Sequence, residues 1–285
     1  MSDGFKVLLS LSEESVNAKK GAFRMLLAVD IGNSSISAGL FDTSDGALIH
    51  TFKVAADTQK TADEYFVLFK SMLTAYSPDT GADCAIIGSV VPKLTYPLQA
   101  AIQKLVGTSP VVVGPGVKTG FSIRIADPSE LGADLVANAA GVIGMQKEKG
   151  AAIIVDVGTA TTVSAISATG EFLGSAIMPG VGVSLEMLHS KTAQLPAVTP
   201  EIPSRAIGKS SRDSVRSGVI LGVAMMIDGF IDRFEKEMKA ERGCAKVYAT
   251  GGLANVIIPA CRHSLDYDEH LTVKGLYQIY KNNLR

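Results

Sequence analysis

The chain has 285 residues, of which 47% are hydrophobic and 19% charged, with a formal net charge of -1. This composition excludes an intrinsically disordered chain, and a near-neutral charge without a Lys/Arg block argues against nucleic-acid binding driven by charge. The length allows one large domain or two of ordinary size, each with a substantial core.

The cysteines and apolar segments indicate the cellular environment. Cys84, Cys244 and Cys261 are widely spaced and form no Cys-x-x-Cys or Cys/His pattern, so we expect reduced thiols in a cytoplasmic protein. No run of about 18 consecutive apolar residues is present, so we expect no membrane span. Residues 1–24 lack the apolar core of a secretory signal and are interpreted as an N-terminal extension.

The first half of the chain predicts the element order β-β-β-α-β-α-β. Strands are predicted where apolar residues run together or alternate, and helices where they recur at helical spacing. The predicted strands are 25–30, 35–41, 47–54, 84–90 and 110–113, and the predicted helices are 61–76 and 93–105.

The second half repeats this order in outline. Its predicted helices are 134–148, a segment starting at 183, 213–240 and 273–282, and its predicted strands are 151–155, 163–167, 171–177 and 245–250. Both halves contain a strand, an Asp-x-Gly turn, two more strands, then helix and strand, which predicts an internal duplication. Two α/β lobes, 25–133 and 134–285, would bring both turns to one cleft because ligands collect at strand ends.

The first Asp-x-Gly turn lies in "LLAVDIGNSS", residues 26–35. Gly32 would let the backbone approach a phosphate closely, and Asn33 and Ser34 offer side-chain donors beside the main-chain N–H groups. Asp30, at the end of a buried strand, could hold Mg²⁺ through water. Taken alone, an Asp-x-Gly sequence is better explained as a plain turn than as a phosphate site.

A second turn and a third element complete the pattern. The second, "DVGTATT" at residues 156–162, places threonines after a buried acid, which suits phosphate or a hard cation, although threonine is also a good strand former. The third, "TGGL" at 250–253, follows a buried strand and suits close packing against an adenine ring. The combination is far more specific than any single element.

In this order, the elements resemble the phosphate-1, phosphate-2 and adenosine motifs of the sugar-kinase/actin superfamily. Within it, the sequence is closely similar to the type III pantothenate kinases, from Met25 to about Tyr280. The shared blocks are "DIGNSS", "GSVVP", "DPSELGAD", "DVGTATT", "GSAIMPG", "TAQLP", "IGKSS", "TGGL" and "LTVKGLYQIY". The resemblance implies an α/β fold of duplicated ribonuclease-H-like, actin-like lobes, with mixed sheets flanked by helices and a nucleotide cleft between the lobes.

The resemblance also implies an activity. It implies a transferase of coenzyme A biosynthesis that phosphorylates pantothenate to 4′-phosphopantothenate with ATP, Mg²⁺ and K⁺ or NH₄⁺. It implies a homodimer with the substrate site at the subunit interface, and we expect no nucleic-acid or membrane partner.

The resemblance assigns roles to individual residues. Asp134 would be the general base, Asp30 would serve Mg²⁺ and Asp156 would bind K⁺. The substrate pocket would include Gly132, Ala133, Asp134, Leu135 and Thr192. ATP would be bound by Asp30, Ile31, Gly32, Asn33, Ser34, Ser35, Ile36, Ser37, Thr159, Gly251 and Gly252.

The chemistry agrees with the role of Asp134, because an attacking primary alcohol needs an acceptor for its proton. Without the resemblance, Asp134 would be interpreted as an acid at a helix start that interacts favourably with the helix dipole.

The sequence departs from the family pattern at a substrate-facing position. Leu135 stands where the family has the Arg of Gly-Ala-Asp-Arg. Arg is the natural partner of a carboxylate such as pantothenate, and losing a charge-assisted contact typically costs about 1.5–3 kcal/mol. Lys191 is a candidate replacement. Ser164 in place of an acid and Ser175 in place of a second glycine are further departures.

Three hypotheses therefore remain: a pantothenate kinase with a modified pocket, a sister kinase for another hydroxylated substrate, or a non-catalytic regulator that binds ATP and a metabolite. Retention of Asp30, Asp134 and Asp156 argues against the regulator, which would have no need of all three carboxylates.

Overall fold

A computed structural model describes residues 25–76, 81–146, 148–239 and 245–284. Within these residues the chain forms two five-stranded mixed sheets, each with helices packed against it. The predicted extension at 1–24 and Cys244 lie outside the described residues.

The first sheet has the strand order β3-β2-β1-β4-β5, in which β1 is antiparallel to β2 and parallel to β4. The predicted order β-β-β-α-β-α-β is confirmed. The elements are β1 Met25–Ile31, β2 Ser35–Asp42, β3 Leu48–Ala55, α1 Ala62–Tyr76, β4 Cys84–Ser89, α2 Pro92–Val106 and β5 Val111–Val112.

The second sheet repeats this arrangement, with the order β10-β9-β6-β7-β8 and with β6 antiparallel to β7 and parallel to β9. The duplicated, actin-like fold class is therefore confirmed. After a 3₁₀ turn at Pro128–Glu130, the elements are α3 Ala133–Met145, β6 Ala152–Val157, β7 Ala160–Ile166, β8 Phe172–Pro179, α4 Val181–Ser190, α5 Ser211–Arg216, α6 Gly222–Glu237, β9 Lys246–Thr250, α7 Ala254–Ile257, β10 Asp266–Tyr267 and α8 Leu271–Asn282.

Strand β1 is apolar throughout because both of its faces are covered. Leu27 and Val29 belong to the core formed with α1 and α2, whereas Leu26 and Ala28 pack in a second core with α3 and α8. Successive side chains of a strand point to opposite faces, so burial on both sides requires a continuous apolar run. Asp30 interrupts that run at its carboxyl end, where the strand reaches the cleft.

Helices α3 and α8 lie between the two sheets. In α3, Val136 packs with the first sheet and Val142 with the second, and α8 packs Leu276 against the first sheet. Gly275 allows this, because a Cβ at that position would overlap the Ala137 carbonyl oxygen of α3. The last helix of the chain therefore completes the first lobe, and the division of lobes at 133/134 stays a prediction.

The predicted helix at 213–240 is described as α5, a π-helical turn at Ser217–Leu221 and α6. The combined segment Ser211–Glu237 is long and apolar enough to cross a membrane by length and composition alone. Its apolar side chains, however, form the core of the second lobe with the strands β6, β7 and β9; they include Val219, Ile220, Val223, Ala224, Ile227 and Ile231. We attribute its hydrophobicity to this packing.

Candidate functional site

Both Asp-x-Gly turns open into one cleft of about 590 Å³ between the lobes. The cleft lies at the carboxyl ends of β1 and β6, the central strands of the two sheets. Most of the predicted nucleotide and catalytic residues line it: Asp30, Gly32, Asn33, Ser34, Ser35, Ser37, Asp134, Asp156, Thr159, Gly251 and Gly252.

In both turns the glycine N–H donates to a backbone carbonyl further along the chain, three positions later in the first turn and two positions later in the second. The Gly32 N–H donates to the Ser35 carbonyl, and the Gly158 N–H donates to the Ala160 carbonyl, each at 3.0 Å. These bonds hold tight connections between antiparallel strands and leave the residues at the tip facing the cleft. Both turns therefore use the N–H of their glycine to close, although the first connection is one residue longer than the second.

The threonines of the second turn divide between turn and strand. Thr159 lies in the turn, whereas Thr161 and Thr162 belong to β7. Because strand side chains alternate, Thr162 lines the cleft and Thr161 is fully buried in the lobe. Thr162 lies opposite Asp156 in the β6–β7 register, so both side chains reach the same face of the sheet.

The third motif, residues 250–253, packs directly against the second Asp-x-Gly turn. Gly251 has φ +99°, and a Cβ at this position would lie 2.6 Å from Asp156 Oδ1 and from the Val157 backbone nitrogen. The Leu253 N–H donates to the Val157 carbonyl at 3.2 Å. Only glycine combines this backbone conformation with so close an approach, so Gly251 keeps the adenosine motif against the second phosphate motif.

Three carboxyl groups, those of Asp30, Asp134 and Asp156, share the cleft. Burial, then the negative charges of Asp134 and Asp156, raise the pKa of Asp30 to about 7, and Lys53 opposes this. Burial raises the pKa of Asp156 to about 6, against a hydrogen bond from Asn138, and burial also raises the pKa of Asp134. So concentrated a negative charge favours the binding of cations.

Asp134 occupies the first turn of α3, with Gly132 as the N-cap residue. The Leu135 N–H donates to Asp134 Oδ1 at 2.7 Å, and a Cβ on Gly132 would lie 2.5 Å from that oxygen. Gly132 therefore leaves the space that the carboxyl group occupies.

Asn138 is a site residue that the sequence analysis missed. Its side-chain N–H donates to Asp156 Oδ2 at 2.9 Å, and its Oδ1 accepts from the Thr272 hydroxyl at 2.8 Å. Asn138 is buried and lies one helical turn after Asp134, on the same side of α3. The four-residue spacing from Asp134 was the signal in the sequence that could have identified Asn138. Helix α3 therefore both carries Asp134 and contacts Asp156 through Asn138.

Further lining residues were also missed. Lys53 lies on β3 directly opposite Ser37 of β2, so the alternation of β3 was a usable signal. The others follow the third motif or begin α8, and nothing local in the sequence marked them: Asn255, Tyr267, Glu269, His270 and Thr272.

Several predicted residues are placed away from the cleft surface. The side chains of Ile31 and Ile36 are buried in the core of the first lobe, so they could meet a nucleotide only through backbone atoms. Neither Leu135 nor Thr192 is one of the described residues that line the cleft. Leu135 is only 7% exposed, and the Thr192 hydroxyl donates to the Leu188 carbonyl at 2.7 Å.

The remaining residues singled out in the sequence are likewise not among the described residues that line the cleft. Ala133 is buried at the start of α3, and Lys191 is exposed at the C-terminal end of α4, away from the described cleft lining. Ser164 and Ser175, the two other departures from the family pattern, are direct cross-strand partners on β7 and β8. The two departures therefore occur at one place in the second sheet.

The carboxylate groups in the cleft suit Mg²⁺, and the hydroxyls and backbone N–H groups suit phosphates. Among the described residues, no group of three or more His, Cys, Asp or Glu side chains forms a metal cage. Mg²⁺ at phosphoryl-transfer sites is usually held by one or two carboxylates plus phosphate oxygens and water, so a preformed cage is not required.

Comparison with known proteins gives a consistent assignment. The sequence profile of a family described as type III pantothenate kinase matches residues 26–233. The type III pantothenate kinase of Citrifermentans bemidjiense is 40% identical over 260 residues, 91% of this chain and 100% of the relative. That of Moorella thermoacetica is 42% identical over 260 residues, with the same coverage.

A solved structure supports the fold. The crystal structure of a Baf family protein from Campylobacter jejuni has a TM-score of 0.54 and 18% sequence identity, and the match covers 90% of this chain and 97% of that one. At this identity, the likeness concerns the fold alone.

Proposed function

Because the chain belongs to the type III pantothenate kinase family, we propose that it transfers the γ-phosphate of ATP to the hydroxyl group of pantothenate. The product is 4′-phosphopantothenate, and the reaction is the first step of coenzyme A biosynthesis. The observation that carries the proposal is the meeting of Asp30, Asp134 and Asp156 at one cleft that is bordered by two Asp-x-Gly turns.

The two turns would hold the triphosphate. Their backbone N–H groups and the hydroxyls of Ser34 and Thr159 are donors at the cleft surface, and glycines let the backbone approach the phosphates. Asp30 would hold Mg²⁺ with the phosphate oxygens. When bound, Mg²⁺ neutralises negative charge on the phosphates.

Asp134 would accept the proton of the attacking hydroxyl. Burial raises the pKa of its carboxyl group, which makes the carboxylate a stronger base than an exposed aspartate. Gly132 leaves room for the carboxyl, and the Leu135 N–H fixes one of its oxygens, so the other remains available to the acceptor. Positioning and charge neutralisation supply most of the remaining catalysis in phosphoryl transfer.

Asp156 would bind the monovalent cation, K⁺ or NH₄⁺, beside the second phosphate motif. The bond from Asn138 leaves Asp156 Oδ1 outside that interaction and orients the carboxylate. A bound cation would offset the charge that Asp156 places near Asp30 and Asp134.

The acceptor pocket would be completed by a second copy in a cytoplasmic homodimer. Thr192 lies outside the cleft lining of its own chain, and the second lobe exposes large apolar side chains on β8, α4 and α6. Ile177 is 67%, Met187 52% and Met225 66% exposed, and a homodimer interface on this lobe would cover them.

The test is the reaction itself. Purified protein with ATP, Mg²⁺, K⁺ and pantothenate should form 4′-phosphopantothenate, detected by mass spectrometry, and omission of any component should prevent it. A kinase with another acceptor remains the second candidate, because Leu135 replaces the family's Arg and is buried. Absence of turnover with pantothenate, together with turnover of another alcohol in a metabolite screen, would favour that candidate.

A further inference from the structure

We propose that Lys53 binds the phosphate chain of the nucleotide. The proposal rests on the proposed function only in that ATP occupies the cleft. It assigns a role to a residue that none of the three nucleotide motifs contains.

The backbone places Lys53 at the cleft. Lys53 pairs with Ser37 in the antiparallel β2–β3 register, so its side chain emerges beside the first phosphate motif. Its neighbours Phe52 and Val54 point the other way, into the core of the first lobe. Lys53 itself is exposed and lines the cleft.

The Lys53 side chain reaches from the first lobe toward the second. Its Nζ lies 3.8 Å from the position that a Cβ on Gly252 would occupy. The ammonium group therefore lies beside the adenosine motif, at the end of a side chain that starts opposite the first phosphate motif. A triphosphate that extends from the carboxylates toward an adenosine at Gly252 would pass close to this group.

The charges of the cleft support a phosphate ligand. Lys53 is the one Lys or Arg among the described residues that line the cleft, and ion pairs among the described residues do not include it. By contrast, Lys60 is held 2.7 Å from Asp57. A cation that is not already held in an ion pair is free to form charge-assisted hydrogen bonds to a phosphate.

The position of Lys53 favours a contact with the phosphates over a contact with the acceptor substrate. Lys53 lies opposite Ser37 of β2 and its Nζ lies beside Gly252, whereas Asp134 lies in the first turn of α3. Lys53 therefore acts at the metal-phosphate side of the cleft. A role in binding the carboxylate of pantothenate would instead require it to lie near Asp134.

The test is nucleotide affinity in the full chain, measured by calorimetry without any acceptor. Lys53→Met should weaken ATP and ADP by about 10–100-fold, AMP by less, and adenosine not at all. Lys53→Arg should restore part of the loss, because it restores the charge. Lys70→Met, which removes an exposed lysine of α1 that lies over the Phe66 ring, is the matched control and should bind ATP like the wild type.

Several outcomes would overturn the proposal. An unchanged ATP affinity would exclude the phosphate contact, and an equal loss for adenosine would place Lys53 at the base or ribose. A raised KM for pantothenate with unchanged ATP affinity would place it at the acceptor. Since binding is measured without acceptor, a failure of pantothenate turnover would refute the proposed function and leave this result intact.

Discussion

The hydroxyl oxygens of Ser34 and Thr159 lie 2.8 Å apart and connect the two Asp-x-Gly turns across the cleft. One residue belongs to the first lobe and the other to the second, 125 positions later. Since both hydroxyls are exposed and face the space where a triphosphate would lie, the bond that joins the turns can be exchanged for bonds to phosphate oxygens.

This relationship predicts coupling that depends on the nucleotide. Ser34→Ala and Thr159→Ala should each weaken ATP binding several-fold, because each removes a donor to the phosphates. Without nucleotide, their effects on the free energy of unfolding should be at most about 1 kcal/mol each and non-additive, because both break the same exposed bond. Urea unfolding of the single and double variants measures the coupling. Additive effects would show that the bond does not form in solution.

Asp134→Asn should lower kcat by about 10²–10⁴-fold and leave the affinity for ATP unchanged, because it removes the proton acceptor and keeps the side-chain shape. Steady-state rates and nucleotide titrations measure the two effects. The control is Asp63→Asn, at an exposed aspartate that pairs with Lys104 at 3.0 Å, which should keep full turnover. Retained turnover in Asp134→Asn would refute the assignment of the base.

Asp30 should make the metal-free, nucleotide-free protein less stable as pH rises. The native state holds its proton to a pKa of about 7, whereas the unfolded chain releases it near 3.8, so between these values the native state binds more protons. Its contribution to the free energy of unfolding is therefore present below about pH 4 and lost by pH 7. Asp156 contributes in the same direction, up to a pKa of about 6.

Asp30→Asn should consequently stabilise the ligand-free protein at pH 7.5, by on the order of a few kcal/mol, while abolishing turnover. Urea unfolding at pH 5 and pH 7.5 measures the difference between variant and wild type. The gap should shrink at the lower pH, and a gap that is independent of pH would contradict the raised pKa.

Asn138 should control the response to the monovalent cation. Asn138→Leu removes the donor that orients Asp156, so we expect the K⁺ concentration for half-maximal activity to rise about 10–100-fold. Thr272→Val removes only the partner on the far side of Asn138 and should have a smaller effect. Initial rates over a K⁺ series test this. An unchanged K⁺ response in Asn138→Leu would contradict the assignment of Asp156 as a ligand of the cation.

Gly275 should be essential for the packing of α8 on α3. In Gly275→Ala the new Cβ would overlap the Ala137 carbonyl oxygen, so the helices must separate, at an expected cost of about 1–3 kcal/mol in unfolding free energy. Turnover should also fall, because α3 carries Asp134 and Asn138. Gly229→Ala in α6 is the matched control. A Cβ there meets nothing within 4 Å, so the protein should be unchanged or slightly more stable.

The features that could be predicted from the sequence are those that depend on residues close together in the chain. The buried run of β1 and the carboxyl group of Asp30 at its end follow from an apolar segment that stops at Asp-x-Gly, and the same pattern marks β6 and Asp156. Since strands and turns depend on local side-chain periodicity and on backbone preferences, the duplication and the two turns that border the cleft could be predicted from the sequence.

The features that only the tertiary structure decided depend on residues far apart in the chain. Asn138 meets Thr272 across 134 positions, and α8 completes the first lobe although it is the last helix. The approach of Lys53 to Gly252 and the burial of Leu135 are likewise set by how lobes and helices pack. Local periodicity gives the face on which a side chain lies, but contacts between elements depend on the packing of the whole chain, which no short stretch of sequence contains.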